Sequence, residues 1–261
     1  MIDYGRLDAA AEVWRDRFRE ASPFPHLVID GLFDANAAAE IGTVFPPVWA
    51  GFRSHRHLHS DKYSVQDEAQ FPPVVRIAMD ELHGPRFLAW LERATGIAGL
   101  EADPHRFGEG MHASGPGGFL DVHADFNEHP ITRKQRILNL LIYVNPGWEP
   151  AWRGDLELWS ADMRRCVQRI APVLNRAVLF ECSDVSFHGL PEPLACPSGR
   201  QRNALQLYYY RDWPGGRTPP RLHTTDYRPR PTDYAKRLRH AMTRAIGPRG
   251  RALLRRVVGR C

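Results

Sequence analysis

Four cysteines in 261 residues are too few and too scattered for a disulfide framework. Cys166, Cys182, Cys196 and Cys261 never form a CxxC pair, which argues against a zinc knuckle and leaves reduced thiols as the expectation. No run of eighteen apolar residues occurs, so no α-helical membrane span is expected. The opening Met1-Ile2-Asp3-Tyr4-Gly5-Arg6 lacks the basic-then-apolar order of a secretory signal, and a cytoplasmic location is expected. The phosphate-loop pattern GxxxxGK followed by Ser or Thr is missing, and there is no internal repeat. What is present is a hydrophobic fraction of 43%, with seven Trp, eight Tyr and twelve Phe. That is too apolar for disorder and sufficient for one large core.

The formal charge of +5 conceals an asymmetry. Residues 228–261 hold eleven Lys or Arg against one acid, which leaves 24 basic against 29 acidic residues in the first 227. A mildly acidic body thus carries a basic tail. Leu238, Met242, Leu253, Leu254 and Val257 give that tail an apolar side, so it is expected to dock on its own body or on an anionic partner.

Residues 1–102 read as a helical region with a first strand, in one domain with residues 103–213. Apolar spacing predicts a helix over 8–22, Pro23 and Pro25 stop it, and His26 to Asp30 forms a short strand. Asp34 caps a helix reaching Ile41. The polar, histidine-rich stretch 51–72 reads as loop, and 73–94 as a helical stretch interrupted around Gly84-Pro85. From 103 to 213 short apolar runs alternate with Gly, Pro and Asp clusters, the signature of antiparallel sheet. The clearest runs are 119–123, 137–144, 155–159, 177–182 and 204–210. A Pro- and Arg-rich linker and a basic helical extension make up 214–261.

Chemistry enters at His123 and Asp125. Two residues apart on an extended segment, they project from one face. Divalent iron that must also accept substrate and oxygen takes two imidazoles and one carboxylate on one face, leaving the opposite positions open. HxD pairs arise often by chance, so an isolated pair reads equally as a turn cap beside a solvated carboxylate. His188 is the best second histidine, because a strand at 177–180 and a turn at 181–185 return the chain toward the sheet.

Around this pair stand Gly117-Gly118-Phe119-Leu120, the run Arg136 to Asn145, and Gly154-Asp155-Leu156-Glu157-Leu158-Trp159. Pro23 to Phe33 precedes them. In this order the segments resemble the 2-oxoglutarate/Fe(II)-dependent dioxygenases of the prolyl 4-hydroxylase-like family, over most of residues 23–212. The resemblance implies an α+β, mainly β, double-stranded β-helix (a jelly-roll or cupin-like core), with N-terminal helices packed on it and a helical C-terminal extension. It implies Fe(II), 2-oxoglutarate and O₂, with ascorbate as a candidate auxiliary, and a metal triad of His123, Asp125 and His188. The distal carboxylate of 2-oxoglutarate would meet Arg202, while Arg200 shares its parity and stays open. Asn139 and Tyr143 lie on one face of the earlier strand, where Tyr143 would add a hydroxyl to the same carboxylate or else be a core tyrosine.

By the same resemblance the reaction decarboxylates 2-oxoglutarate to succinate and CO₂ and hydroxylates an unactivated C–H bond. A carboxylate at Asp125 disfavours halogenation, and the arginines after His188 do not follow the nucleic-acid demethylase pattern, so no nucleic-acid partner is expected. A prolyl residue, a free amino acid, a natural product or a glycan all remain candidate substrates. A cupin-like metal-dependent isomerase or hydrolase, and a non-catalytic binding module, are the competing readings. The alternating His55, His57 and His59 suggest an accessory metal or substrate loop, with a solvated loop as the simpler account. Lys62 to Gln66 could border the substrate entrance, and residues 111–118 read as a flexible lead into the metal strand. His105, His112 and His129 are surface or core residues on this reading.

Overall fold

The computed structural model describes residues 1–47, 51–216, 222–234 and 236–237. Its chain begins with helices α1 (Tyr4–Ala9) and α2 (Ala11–Glu20), strand β1 (His26–Asp30) and helix α3 (Ala35–Val44). The Asp34 side chain accepts from the Ala37 N–H at 2.8 Å and so starts α3, as its spacing predicts. A hairpin, β2 (Arg53–His57) and β3 (Ser60–Val65), comes next, then α4 (Pro73–His83) and α5 (Pro85–Thr95). The predicted stretch 73–94 is therefore two helices: Gly84 ends the first, and Pro85, which cannot donate a backbone hydrogen bond, opens the second.

The remaining strands are β4 (Glu101–Ala102), β5 (Gly110–Ser114), β6 (Phe119–Ala124), β7 (Gln135–Tyr143), β8 (Leu156–Trp159), β9 (Cys166–Ile170), β10 (Arg176–Glu181), β11 (His188–Leu190), β12 (Arg202–Arg211) and β13 (Asp226–Tyr227). All their pairings are antiparallel, in the order β1-β10-β7-β12-β5-β3-β6-β11-β8-β9. The sheet curls on itself as a double-stranded β-helix, as expected. Among the described residues no helix is long and apolar enough to cross a membrane.

Strand alternation decides what each face of the curl meets. Leu138, Leu140 and Ile142 of β7 and Leu205, Leu207 and Tyr209 of β12 point outward, into one cluster with Phe18, Ile41, Val75, Leu82, Phe87 and Leu91 of the helices. Each such fully buried aliphatic or aromatic side chain contributes roughly 1.5–3 kcal/mol. The intervening residues face inward, where Tyr143, Val178, Phe180 and Ala204 pack against Leu156 and Leu158 of the opposite layer. The helices thus brace the outer face, and the concave face is left for chemistry.

Two expectations are corrected. Residues 51–72 are not a loop, because β2 and β3 pair in register from Arg53↔Ser64 to His57↔Ser60. Polar residues are tolerated in β2 because it is a largely exposed edge strand that pairs only with β3, so no apolar face marks it in sequence. Nor is 111–118 simply a flexible lead. Gly110–Ser114 is an inner strand between β12 and β3, with Met111 and Ala113 in the core and His112 and Ser114 on the concave side. Gly110 permits this: at φ +121° a Cβ there would lie 2.2 Å from the Val65 carbonyl oxygen, so only glycine lets β3 and β5 meet.

Candidate active site

A cleft of about 220 Å³ opens on the concave face. His123 reaches it from β6 and His188 from β11, and the two are direct register partners. A Cβ on Gly189 would stand 2.8 Å from the Val122 Cα, so glycine beside His188 is what lets the short β11 lie close against β6. The imidazole centroids are 4.5 Å apart. Asp125 comes directly after β6. Its Oδ1 is 3.5 Å from His123 Nε2, and its Oδ2 is 3.7 Å from His188 Nε2.

Both rings are held in the tautomer a metal needs. His123 Nδ1 lies 2.9 Å from the Asp121 carbonyl oxygen, and His188 Nδ1 lies 2.9 Å from that of Ser186. A carbonyl only accepts, so each Nδ1 carries hydrogen and each Nε2 presents its lone pair. One ligand atom from each of His123, Asp125 and His188 lies within 4.8 Å of the other two. Two neutral imidazoles and one carboxylate, all nearly buried, are a donor set suited to a divalent transition metal, and they fit Fe(II).

The charge state favours the same ligands. Burial by itself would raise the Asp125 carboxyl, but the Arg136 guanidinium above all, with His123 and His188 close beside it, outweighs this and holds Asp125 well below the usual carboxylate range. Burial, aided by repulsion from His123, lowers His188 to about 4. Asn139 Nδ2 donates to Asp125 Oδ2 at 3.0 Å, so Asn139 supports the carboxylate from behind.

Arg202 lines the same cavity, and Tyr143 is buried against it. Arg202 Nε donates to the Gly154 carbonyl oxygen at 2.7 Å, and Nη2 donates to the Tyr143 hydroxyl at 3.0 Å. The guanidinium also lies 4.6 Å above the Tyr143 ring. Arg202 lines the cleft together with Ala204, Gln206 and Tyr208, the face that alternation predicts. Burial raises the Tyr143 hydroxyl above its ordinary range, with Arg202 opposing the shift, so it remains a hydrogen-bond donor at neutral pH. Arg200 lies elsewhere, 5.2 Å from the Trp152 ring centroid and beside a second concavity near Trp148 and Asn145.

Three site residues escape sequence reasoning. Arg136 is the second residue of β7, with its side chain wholly enclosed, 4.3 Å from the Phe126 ring centroid and 3.3 Å from that of Tyr208. The only signal was a charge at the head of an apolar strand. His112 lines the cleft from β5, and burial holds its imidazole well below the ordinary value. Tyr227 of β13 pairs in register with His123 and stacks on His59 with centroids 4.3 Å apart. His55 also lines the cleft, whereas His57 and His59 gather near Tyr227. Lys236 ion-pairs with Asp121, and the expectations for residues 238–261 lie outside the described residues. His129 is buried against Asp103 Oδ2 at 3.0 Å, as a core histidine would be.

Residues 110–210 match the family model of the 2OG-Fe(II) oxygenase superfamily. Among solved structures, the chain is similar to a prolyl-4-hydroxylase of Pseudomonas putida at 17% identity and TM-score 0.53, covering 77% of this chain and 99% of that one. It is also similar to a prolyl hydroxylase of Trichoplax adhaerens solved with a hypoxia inducible factor peptide fragment, at 15% identity and TM-score 0.56, covering 79% and 93%. A third is the non-heme alpha ketoglutarate dependent epimerase SnoN from nogalamycin biosynthesis, at 15% identity and TM-score 0.52, covering 85% and 93%. No curated protein sequence matches. At these identities the structural likeness bears on fold alone.

Proposed function

We propose that this chain, whose residues 110–210 match the family model of the 2OG-Fe(II) oxygenase superfamily, is a 2-oxoglutarate-dependent oxygenase that hydroxylates an unactivated C–H bond. The observation that carries the reading is one cleft lined both by the His123, Asp125, His188 cluster and by Arg202, whose guanidinium donates to the buried Tyr143 hydroxyl. A cupin-like isomerase or hydrolase would use the first without needing the second, and a binding module would need neither.

The chain's own groups take these roles. His123 Nε2, His188 Nε2 and one oxygen of Asp125 would hold Fe(II), while Asn139 donates to Asp125 Oδ2. Arg202 grips the distal carboxylate of 2-oxoglutarate with the guanidinium hydrogens that Gly154 and Tyr143 leave free, and the Tyr143 hydroxyl adds one bond. Leu141, Leu156 and Ala204 line the same cleft with apolar surface, which limits water there. Bound iron, with 2-oxoglutarate and O₂, supplies the oxidative decarboxylation to succinate and CO₂ and the oxidising power for hydroxyl insertion. The protein supplies geometry and enclosure.

The test supplies ¹⁸O₂ to Fe(II)-reconstituted protein with 2-oxoglutarate and a panel of amino acids, prolyl peptides and glycans, and reads products by mass. Hydroxylation gives a product that gains one ¹⁸O atom and is absent with His123→Ala. Succinate formed with a desaturated, epimerised or oxygen-free product would refute hydroxylation and leave the coarser oxygenase assignment standing.

A further inference from the structure

The cleft holds more positive charge than this chemistry uses. Lys62, Arg136 and Arg202 line it, and Asp125 is the only acid among its lining residues. A divalent metal and Arg202 supply three positive charges, which Asp125 and the 2-oxoglutarate dianion balance. Lys62 and Arg136 are left over.

Neither side chain finds a hydrogen-bond partner within the described protein, although Arg136 ion-pairs with Asp125 and lies against the Phe126 and Tyr208 rings. The Lys62 ammonium makes no hydrogen bond or ion pair among the described residues, and Lys62 lines the cleft from β3. Burial pushes its ammonium below the ordinary value, with Arg136 and Arg202 adding to the effect and Asp125 opposing it. Arg136 is 1% exposed, none of its three guanidinium nitrogens finds a hydrogen-bond partner, and its nearest carboxylate oxygen, Asp125 Oδ2, is 3.4 Å away. Leaving buried cationic donors unmatched is costly unless a ligand completes them. Lys62 is two strands removed from Arg202, across β5, and Asp125 and Arg136 act on it more strongly than Arg202 does.

Resting on the reading of this cleft as a 2-oxoglutarate/Fe(II) hydroxylase site, we propose that Lys62 and Arg136 form a substrate subsite for an oxyanion, a carboxylate or a phosphate, and that the chain hydroxylates a small anionic molecule. The volume agrees, since about 220 Å³ is small for a ligand site and leaves little room beyond the cosubstrate. Lys62 positions the substrate by its anion and takes no part in the bond-making step. Its β2–β3 hairpin carries the subsite, which gives that polar element a use.

The test measures thermal shifts of Mn(II)- and 2-oxoglutarate-loaded protein with matched pairs: amino and hydroxy acids against their primary amides, and sugar phosphates against the free sugars. A charge-assisted contact predicts at least one pair in which the anion binds on the order of tenfold more tightly or better. Lys62→Gln should remove that preference, Lys62→Arg should restore part of it, and 2-oxoglutarate affinity should stay within about threefold of wild type. The acid and phosphate arms tell which oxyanion is taken. An absence of anion preference in the wild type overturns the subsite, and so does a preference that survives Lys62→Gln. Loss of 2-oxoglutarate affinity in Lys62→Gln would instead assign Lys62 to the cosubstrate and overturn it as well. Wild-type protein that fails to bind 2-oxoglutarate refutes the functional reading first, and the subsite with it.

Discussion

Replacing Arg202 by Met isolates the proposed cosubstrate clamp. Of the five guanidinium N–H groups, one goes to the Gly154 carbonyl and one to the Tyr143 hydroxyl, so three remain, enough for a two-pronged grip on a carboxylate. The Tyr143 oxygen accepts from Arg202, which frees its own hydrogen for the same anion. Removing one partner of such a buried, hydrogen-bonded charge pair costs about 2–5 kcal/mol. At about 1.4 kcal/mol per tenfold, 2-oxoglutarate affinity should fall roughly 30- to 4,000-fold. Arg202→Lys keeps the charge and loses the fork, and Tyr143→Phe loses one bond, so each should cost about tenfold. The assay is anaerobic calorimetric titration of Mn(II)-loaded protein with 2-oxoglutarate, with a melting curve to confirm folding. An affinity within about threefold of wild type for Arg202→Met, or a large loss in Arg200→Met instead, would refute the reasoning.

Asn139→Ala leaves the second oxygen of Asp125 free to turn, so metal affinity should drop about 10- to 100-fold, read by Co(II) absorbance titration, and an unchanged affinity would deny Asn139 its supporting role. Phe180→Ala empties a fully buried site whose ring centroid lies 4.5 Å from that of His188. It should cost about 3–5 kcal/mol of stability in chemical denaturation, whereas a loss below about 1 kcal/mol would show that the inner cluster does not brace β10. Burial raises the Glu109 carboxyl, against the hydrogen bonds from His83 and the Tyr208 N–H. The folded chain therefore binds that proton more tightly than the unfolded chain, so stability falls as pH rises from the ordinary carboxylate value through the raised one. Urea melts across that window should show Glu109→Gln with the shallower decline, and parallel slopes would contradict it.

Much of the site was legible because its residues sit on strands whose two-residue period is visible. Asn139, Leu141 and Tyr143 share the concave face of β7, as Arg202, Ala204 and Gln206 share that of β12, and each outer partner is an apolar core residue. Parity left Arg200 and Arg202 both open, and the family resemblance singled out Arg202 and joined it to Tyr143. Arg136 could not be placed by parity, because β12 shifts register between Tyr209 and Tyr210, opposite the start of β7, and simple alternation fails there. β5 was obscured by glycines that read as flexibility yet serve close strand contact at Gly110. The β2–β3 hairpin carries almost no apolar residue, so periodicity had nothing to register. Tyr227 reaches the metal strand only through a pairing with His123, far away in the chain, which no local pattern encodes.

The most direct measurement is release of labelled CO₂ from [1-¹⁴C]-2-oxoglutarate by protein reconstituted anaerobically with Fe(II) and then exposed to O₂, with and without the anionic panel. The account predicts CO₂ and succinate in equal amounts, dependent on Fe(II) and O₂, stimulated by an anionic compound, and abolished by His123→Ala or Asp125→Ala. Release no greater than that of His123→Ala under every condition would contradict it.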